Sequence, residues 1–598
     1  MRMRACGVCW AVFTACVVLG ACGSDKPPKS RSTGTGGEGE PSGGAPANTS
    51  GTSGTSGTSN GGKGSGQVAG ADNGAGDSSG GAPVVDTTPG PKRIHFIVDS
   101  SQAAHAISPL IYGANMTGLD CGDPKARFTF CRHHSAAWST YNWENNASNA
   151  GQSDCNENND ALSAETTPAA AVTNLIDAAD AAGASTVVTV PMLDHVAVDV
   201  DADGGAGGDC SGDVSNTSDY LNTRFAQNRP RKGAELALTP DTTDAFVNQD
   251  EFIASLKNSH PDSSVLFTLD REPELWKGEH PRVRTTPLTY AEQVSLSTDY
   301  SKMIKDNWDG AKVIGLVGYG YLAAVNQQAS PDYATEGEFY AYFLKQMAAA
   351  SQDDGRRLLD YIDLHWFPEI YVDGVRLIDE DASEASVLAR VQAPRTLWDP
   401  NFVENSWITQ SNGGKAIELL TWLKREIDDN YPGTGLSFTE WTYGGGKHIS
   451  GAIAAADALG IYGQRGVDLA GVISFSPDDE PYLIGAFEAY RNYDGQGATF
   501  GDTSVAATSS RVELGSIYAS IDEQDPSRMV LVAINRYAYD LNASISVNHD
   551  TAYSSVTPYS IVDGQPDPTH GNTVDATAPN EFELTLPPYS VTVLVPNE

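Results

Sequence analysis

Two short stretches place carboxylates where packing alone gives no reason for them. Between Ser263 and Trp276 the chain reads SSVLFTLDREPELW, in which the apolar run Val265–Leu269, interrupted only by Thr268, ends directly in Asp270-Arg271-Glu272-Pro273-Glu274. Such a run reads as a strand buried on both faces, so a carboxylate at its tip must face a cavity, a partner or water. Leu436–Trp441, LSFTEW, repeats the design with Glu440, and Gly444-Gly445-Gly446 lets the chain turn away. A third strand end carries His365-Trp366-Phe367-Pro368-Glu369. Two carboxylates in one cleft beside aromatic rings suit cleavage of a glycosidic bond, one acid protonating the leaving oxygen while the other carboxylate attacks the anomeric carbon. Trp276, Trp366 and Trp441 would offer apolar faces on which sugar rings stack.

The elements that must position these tips alternate regularly. A helical pattern over Pro168–Ala182, with Thr167 as its cap, precedes a strand over Thr186–Leu193. Further helices are expected over Tyr290–Asn307, Glu336–Ala350, Ala416–Asp429 and Ser450–Gly463. Between them the strands Val265–Leu269, Val313–Val317, Tyr361–Trp366, Leu436–Phe438 and Leu469–Phe475 are largely apolar. This alternation predicts an α/β chain with a parallel (β/α)8 TIM-type barrel over residues 115–484, whose active face lies at the carboxyl ends of the strands. After residue 485 the helices stop, and short strands at Val512–Ser520, Met529–Ile534, Ala543–Val547, Ser555–Val562, Phe582–Leu586 and Val591–Val595 predict an antiparallel β-sandwich domain over 485–598. The opening strand Arg93–Asp99 and the run that follows, residues 93–114, are expected to join that sandwich.

The first 92 residues read differently. Arg2 and Arg4 precede an apolar run to Leu19, the layout of a secretory signal over residues 1–22. Leu19-Gly20-Ala21-Cys22 resembles a bacterial lipobox, which implies cleavage before Cys22 and its acylation, and hence a lipid anchor at the cell envelope outside the cytoplasm. An ordinary signal peptide and a secreted protein is the alternative. Residues 23–92, rich in Gly, Ser and Thr, form a tether of roughly 45 Å as a flexible coil. Outside the leader, Cys121, Cys131, Cys155 and Cys210 are even in number, as in an exported chain with two disulfides. Three pairings are open, Cys121 with Cys131 being the nearest in sequence. The net charge of −39 makes nucleic acid an unfavourable partner and leaves a neutral polymer unopposed. Nothing in the sequence calls for an oligomer, and the chain is read as a monomer. Asp199, Asp201 and Asp203 before Gly204 have the opening spacing of a calcium loop, although the twelfth position is Cys210 rather than glutamate. An acidic solvated loop is the plainer reading. The proposed chemistry needs no cofactor.

The stretches TLDREPELWKGEHPR, DLHWFPE, LWDPNFVENSWI, FTEWTYGGGKHISGAIAAADALGIYG and AYRNYDGQGATFGDTSV, supported by YNWENNASNAG at Tyr141, PMLDHVA at Pro191 and LTPDTTDAFVNQDEF at Leu238, resemble glycoside hydrolase family 44. The similarity runs from about residue 94 to 598. It implies bacterial endo-β-1,4-glucanases and xyloglucanases with a barrel joined to a sandwich, a retaining mechanism and an extended cleft for β-glucan chains. It implies further that Glu272, directly before Pro273, is the acid and base and Glu440 the nucleophile, with Arg271, His365 and Tyr443 around the reacting sugar. Glu274 is the weaker candidate for the acid. Two departures stand out. The family's asparagine before the acid is Arg271 here, a cation expected to lower the pKa of Glu272. Where the family reads Arg-x-Gly-Gly-Asn, this chain reads Arg132-His133-His134-Ser135-Ala136. Both bear on substrate preference and leave two alternatives, a β-glycanase acting on xylan or mannan and a glycan-binding surface lipoprotein without turnover.

Overall fold

The computed structural model describes residues 86–116, 119–201, 210–474 and 480–598. The expected signal peptide, Cys22, the tether up to residue 85 and Asp203 lie outside the described residues.

Eight parallel strands close a barrel: β2 (Gly113–Asn115), β3 (Phe130–Arg132), β4 (Ser185–Val190), β5 (Val265–Leu269), β6 (Lys312–Tyr319), β7 (Tyr361–His365), β8 (Gly435–Trp441) and β9 (Leu469–Val472), each pairing with the next and β9 with β2. They are buried along nearly their whole length, as a continuous apolar reading requires of strands covered on both faces. The covering helices are α1 (Ala170–Ala182), α2 (Gln249–Ser259), α3 (Tyr290–Asn307), α4 (Phe339–Asp354), α5 (Glu384–Gln392), α6 (Leu419–Asn430), α7 (Ile449–Arg465) and α8 (Pro481–Arg491). Helix α1 starts two residues after the predicted Pro168, and its N-cap is Ala169 with φ of 60°, not Thr167. The two shortest barrel strands, β2 and β3, carry too few residues for a periodic signal, and sequence reasoning missed both as barrel strands.

The second layer is an eleven-stranded sheet whose main path joins, in spatial order, Gln565–His570, Ser555–Val562, Ser590–Asn597, Met529–Asn535, Gly515–Ile521, Thr503–Ser509, β1 (Lys92–Asp99), Leu541–Asn548 and Glu581–Leu586. All the pairs on that path are antiparallel except β1 with Leu541–Asn548, which is parallel. So the opening strand does lie in this sheet, whereas Gly113–Asn115 of the expected 93–114 segment is part of the barrel. Met529–Asn535 is buried on both faces. Met529, Leu531 and Ala533 point into the sheet's own core, while Val530, Val532 and Ile534 pack against the barrel's helices.

Helix α7 lies at that junction and is buried from Ile449 through Gly463, which explains its lack of a polar face. Gly460 admits the ring of Tyr518, which a Cβ there would meet at 2.2 Å. Its neighbour on the same face, Asp457, accepts hydrogen bonds from Ser516 Oγ at 2.6 Å and Tyr518 Oη at 2.7 Å and pairs with Arg536 Nη2 at 2.5 Å. Asp457→Asn strands the buried Arg536 guanidinium without a counter-charge. We expect a loss of about 3 to 5 kcal/mol in stability, seen as a lower urea midpoint; an unchanged midpoint would contradict this role.

Cys121 pairs with Cys131 and Cys155 with Cys210, with Cα atoms 5.9 and 4.9 Å apart. Among the expected calcium ligands, Asp199 and Asp201 are taken by one cation already: Arg224 Nε lies 2.6 Å from Asp199 and Nη2 2.6 Å from Asp201. The acidic loop is held by a guanidinium, and the calcium reading is corrected on that ground.

Candidate active site

Glu272 stands just beyond β5 and Glu440 is the next-to-last residue of β8, on strands separated by β6 and β7 around the barrel. Asp270 and Glu272 both adopt left-handed backbone conformations, with φ of 59° and 49°. Non-glycine residues there store strain of about 1 to 3 kcal/mol each, so surrounding contacts must hold them. Asp270 supplies the contacts. Fully buried, it accepts from Ser139 Oγ at 2.5 Å, from the amides of Met192 at 2.5 Å and Arg271 at 2.7 Å, and from Trp276 Nε1 at 3.4 Å. Asp270 therefore fixes the tip that presents Glu272.

His365, at the end of β7, stands between the two glutamates. Its Nδ1 lies 2.5 Å from Glu272 Oε1 and 3.4 Å from Glu440 Oε2. Ligand atoms of Glu272, His365 and Glu440 all fall within 4.8 Å of one another. That closeness matches carboxyl groups roughly 5 to 5.5 Å apart, as a retaining glycosidase needs, and not the 6.5 Å or more of inverting enzymes. The same spacing would admit a metal ion. A divalent cation would, however, stand beside two guanidiniums, because Arg132 Nη1 lies 2.6 Å from Glu440 Oε1 and Arg271 Nη2 lies 2.5 Å from Glu272 Oε2.

The two carboxyls are pushed in opposite directions. Burial raises Glu272 to about 8, with Arg271 opposing and Glu440 and Glu279 adding to the rise. Burial would raise Glu440 too, but His134 and Arg132 at its oxygens outweigh it and hold that carboxyl well below the usual range. Near neutral pH one group is an acid and the other a carboxylate, the division of labour that two-carboxylate chemistry requires. The expectation that Arg271 would leave Glu272 with a lowered pKa is thus corrected: its pull is real, but desolvation is larger. Arg271→Asn removes the opposing cation, so Glu272 should stay protonated to higher pH. The alkaline limb of the pH profile for sugar release should move up by about one unit; a limb that stays put or falls would contradict the assignment.

Other expected site residues fall differently. Glu274 is buried, is raised by burial to about 8, and accepts from the Tyr319 amide at 2.5 Å, so it holds the end of β6 and does not face Glu440. Trp276, Trp366 and Trp441 are each no more than 1% exposed and offer no open face to a sugar. Trp276 is tied to Asp270, and Trp441 packs on Tyr462 and Phe487. These three are corrected to core. Tyr443 is buried as well; its carbonyl accepts from Arg390 Nε at 3.1 Å, and Arg390 Nη2 donates to the carbonyls of Leu377 and Asp379 at 2.8 Å. Arg390 thereby pins the loop beyond β8, and a Cβ on Gly445 would meet that guanidinium at 2.8 Å.

Sequence reasoning missed Arg132, which also donates to Asn115 Oδ1 at 3.1 Å, since its strand is only three residues long. The departure at His134 acquires a position: its Nδ1 donates to Glu440 Oε1 at 2.8 Å. With Arg271 on Glu272 and His134 on Glu440, each catalytic-type carboxyl is 1% exposed. Both departures thus cover the carboxylates.

The model of glycoside hydrolase family 44 matches residues 147–370. Beta-mannanase/endoglucanase A of Caldicellulosiruptor saccharolyticus is 35% identical over 528 residues, 83% of this chain, and the chain spans 38% of that protein's length. Endoglucanase A of Paenibacillus lautus is 34% identical over 516 residues, covering 83% of this chain and 71% of that protein. The solved structure of a Paenibacillus polymyxa xyloglucanase from family 44 with xyloglucan superposes with a TM-score of 0.78 at 33% identity, covering 85% of this chain and all of that one. With the barrel, the joined sheet and the glutamate pair, these similarities show that the chain belongs to glycoside hydrolase family 44.

Proposed function

We propose that the protein is a retaining hydrolase of internal β-1,4 linkages in glucans, cellulose-like chains and xyloglucan. The observation that carries this reading is the glutamate pair: two buried carboxyls bridged by one imidazole, one held protonated and one ionised. Glu440 attacks the anomeric carbon while Glu272 gives its proton to the leaving oxygen. Glu272, now a carboxylate, then takes a proton from the water that releases the sugar from Glu440. Arg132 and His134 orient Glu440 and keep it ionised. Arg271 and His134 also crowd the buried pair, so the reacting sugar enters in competition with them for the carboxyl oxygens.

A mannan-directed activity is the second reading, favoured by the name of the Caldicellulosiruptor relative, β-mannanase/endoglucanase. Reducing-end release from cellulose derivatives, xyloglucan, xylan and mannan tests both. β-Glucan or xyloglucan turnover with the β-anomer as first product supports the proposal; release from mannan alone selects the second reading. We infer also that the protein works as a single chain outside the cytoplasm, held to the envelope by acylated Cys22. The lipobox-like Leu19-Gly20-Ala21-Cys22 and the two disulfides support this. Among the described residues, no helix is long and apolar enough to cross a membrane.

A further inference from the structure

Behind the glutamates, three buried polar side chains that take no part in the two-carboxylate scheme, Asp363, Ser437 and Thr439, form a cluster that meets His365. Strand β7 puts Asp363 and His365 on one side, two residues apart, and β8 brings Ser437 and Thr439 against them. All four are wholly shielded from solvent. Asp363 Oδ1 accepts from Ser437 Oγ at 2.6 Å and from the Thr439 amide at 2.8 Å, and Oδ2 accepts from Thr439 Oγ1 at 2.7 Å. A hydroxyl has one proton, and that of Thr439 is committed to Asp363. What Thr439 Oγ1 turns toward His365 Nε2, 3.1 Å away, is a lone pair, so Nε2 carries the ring proton. A neutral imidazole protonated there has a bare Nδ1. This bare nitrogen lies 2.5 Å from Glu272 Oε1, a distance that requires a proton between them, and only the carboxyl can provide it.

We propose that Thr439 and Asp363 are positioning residues of the acid: their hydrogen-bond chain fixes His365 in the Nε2–H form, whose bare Nδ1 accepts the carboxyl proton of Glu272 between turnovers. The proposal rests on the reading of Glu272 as the acid. The proton stays with Glu272 throughout this resting contact. On catalysis it passes to the leaving oxygen, which replaces Nδ1 as its acceptor, and the proton recovered from water restores the contact. Burial, which pulls His365 down to about 4, keeps the ring neutral as the arrangement needs. The other titratable groups around Glu272 are Arg271, Glu440, Glu279 and His134.

Thr439→Val removes the hydroxyl at nearly constant volume and leaves those charges in place. Nε2 then faces only Asp363 Oδ2 at 3.8 Å, beyond hydrogen-bond reach, so the ring can move its proton to Nδ1 and donate to an ionised Glu272, which is no longer an acid. General acid catalysis is worth about 100- to 10,000-fold, so partial loss of its placement should cost β-glucan turnover on the order of 10-fold in kcat/KM and move the alkaline limb to lower pH. The initial burst from an aryl glycoside whose leaving group needs no proton should change little, and Thr439→Ser should restore the polymer rate and the pH profile. Equal losses on both substrates with an unmoved pH profile, or no loss at all, would overturn the proposal. Nitrogen NMR of the full native chain with labelled histidine decides the tautomer without any variant having to be active, the His365 signal being assigned by its absence in His365→Gln. A proton on Nε2 is expected, and a proton on Nδ1 overturns the proposal. If the native protein releases no sugar from any polymer, the functional reading fails, while the NMR still decides the hydrogen-bond chain.

Discussion

Glu440→Gln should abolish polysaccharide hydrolysis, with a loss of about 10,000-fold or more, the scale seen when a covalent nucleophile is removed. The amide keeps the volume of the carboxylate but cannot form the glycosyl ester. The fold should survive because most of the structure around the site does not depend on the charge: Arg132 retains Asn115 as an acceptor, and Asn115 Nδ2 donates to the Thr439 carbonyl at 2.8 Å. The variant removes the counter-charge of Arg132, so some stability should be lost as well. Circular dichroism and the melting curve of the variant separate the two effects. A folded Glu440→Gln protein that keeps more than a small fraction of its rate would remove Glu440 from the chemistry.

Glu272→Ala should divide substrates by their leaving groups. Polymer hydrolysis, whose leaving sugar must be protonated, should fall by about 100- to 10,000-fold. An activated aryl glycoside should still transfer its sugar to Glu440 and then stall, since no base remains to activate water. A burst of the aryl alcohol followed by slow turnover is the expected trace. Azide, entering the space vacated by the carboxyl, should speed the second step and give a glycosyl azide of retained configuration. Equal loss on both substrates without azide rescue would mean that Glu272 is structural, as Glu274 is. Glu274 provides the comparison: it is also buried and raised to about 8, yet it faces the Tyr319 amide. A perturbed carboxyl is thus insufficient evidence of catalysis without a partner carboxyl whose oxygen lies within 4.8 Å.

Much of this architecture can be read from local pattern. Strand Val265–Leu269 and helix Tyr290–Asn307 coincide with their predicted limits because each has clear edges, the acidic tip after Leu269 and the cap Thr289 before Tyr290. The glutamates were legible for a related reason: a carboxylate at the end of an apolar run is anomalous. The aromatic platforms were misread because tryptophan gives the same signal whether it stacks on a sugar or fills a core, and Trp276, Trp366 and Trp441 fill the core. Strands β2 and β3 are too short for periodicity, so Arg132 could not be placed against Glu440. The paired aspartates at 199 and 201 look like cation ligands in sequence, and a guanidinium from Arg224, more than twenty residues away, is the cation they hold. The tautomer of His365 depends on hydroxyl and carboxylate positions from two strands and has no signature along the chain at all.

Arg271 and His134 each contact one of the two buried glutamates. Arg271 Nη2 lies 2.5 Å from Glu272 Oε2 and His134 Nδ1 lies 2.8 Å from Glu440 Oε1, so an entering sugar competes with both side chains for the carboxyl oxygens. The most direct measurement of the central claim uses this competition. Full-length protein is incubated with an activated 2-deoxy-2-fluoro cello-oligosaccharide, whose glycosyl-enzyme forms but hydrolyses slowly, and its peptides are mapped by mass spectrometry. We predict stoichiometric labelling on the peptide carrying Glu440, prevented by xyloglucan or a soluble β-glucan and absent in Glu440→Gln. A label on any other residue, or no label from a protein that still hydrolyses β-glucan, would contradict the account.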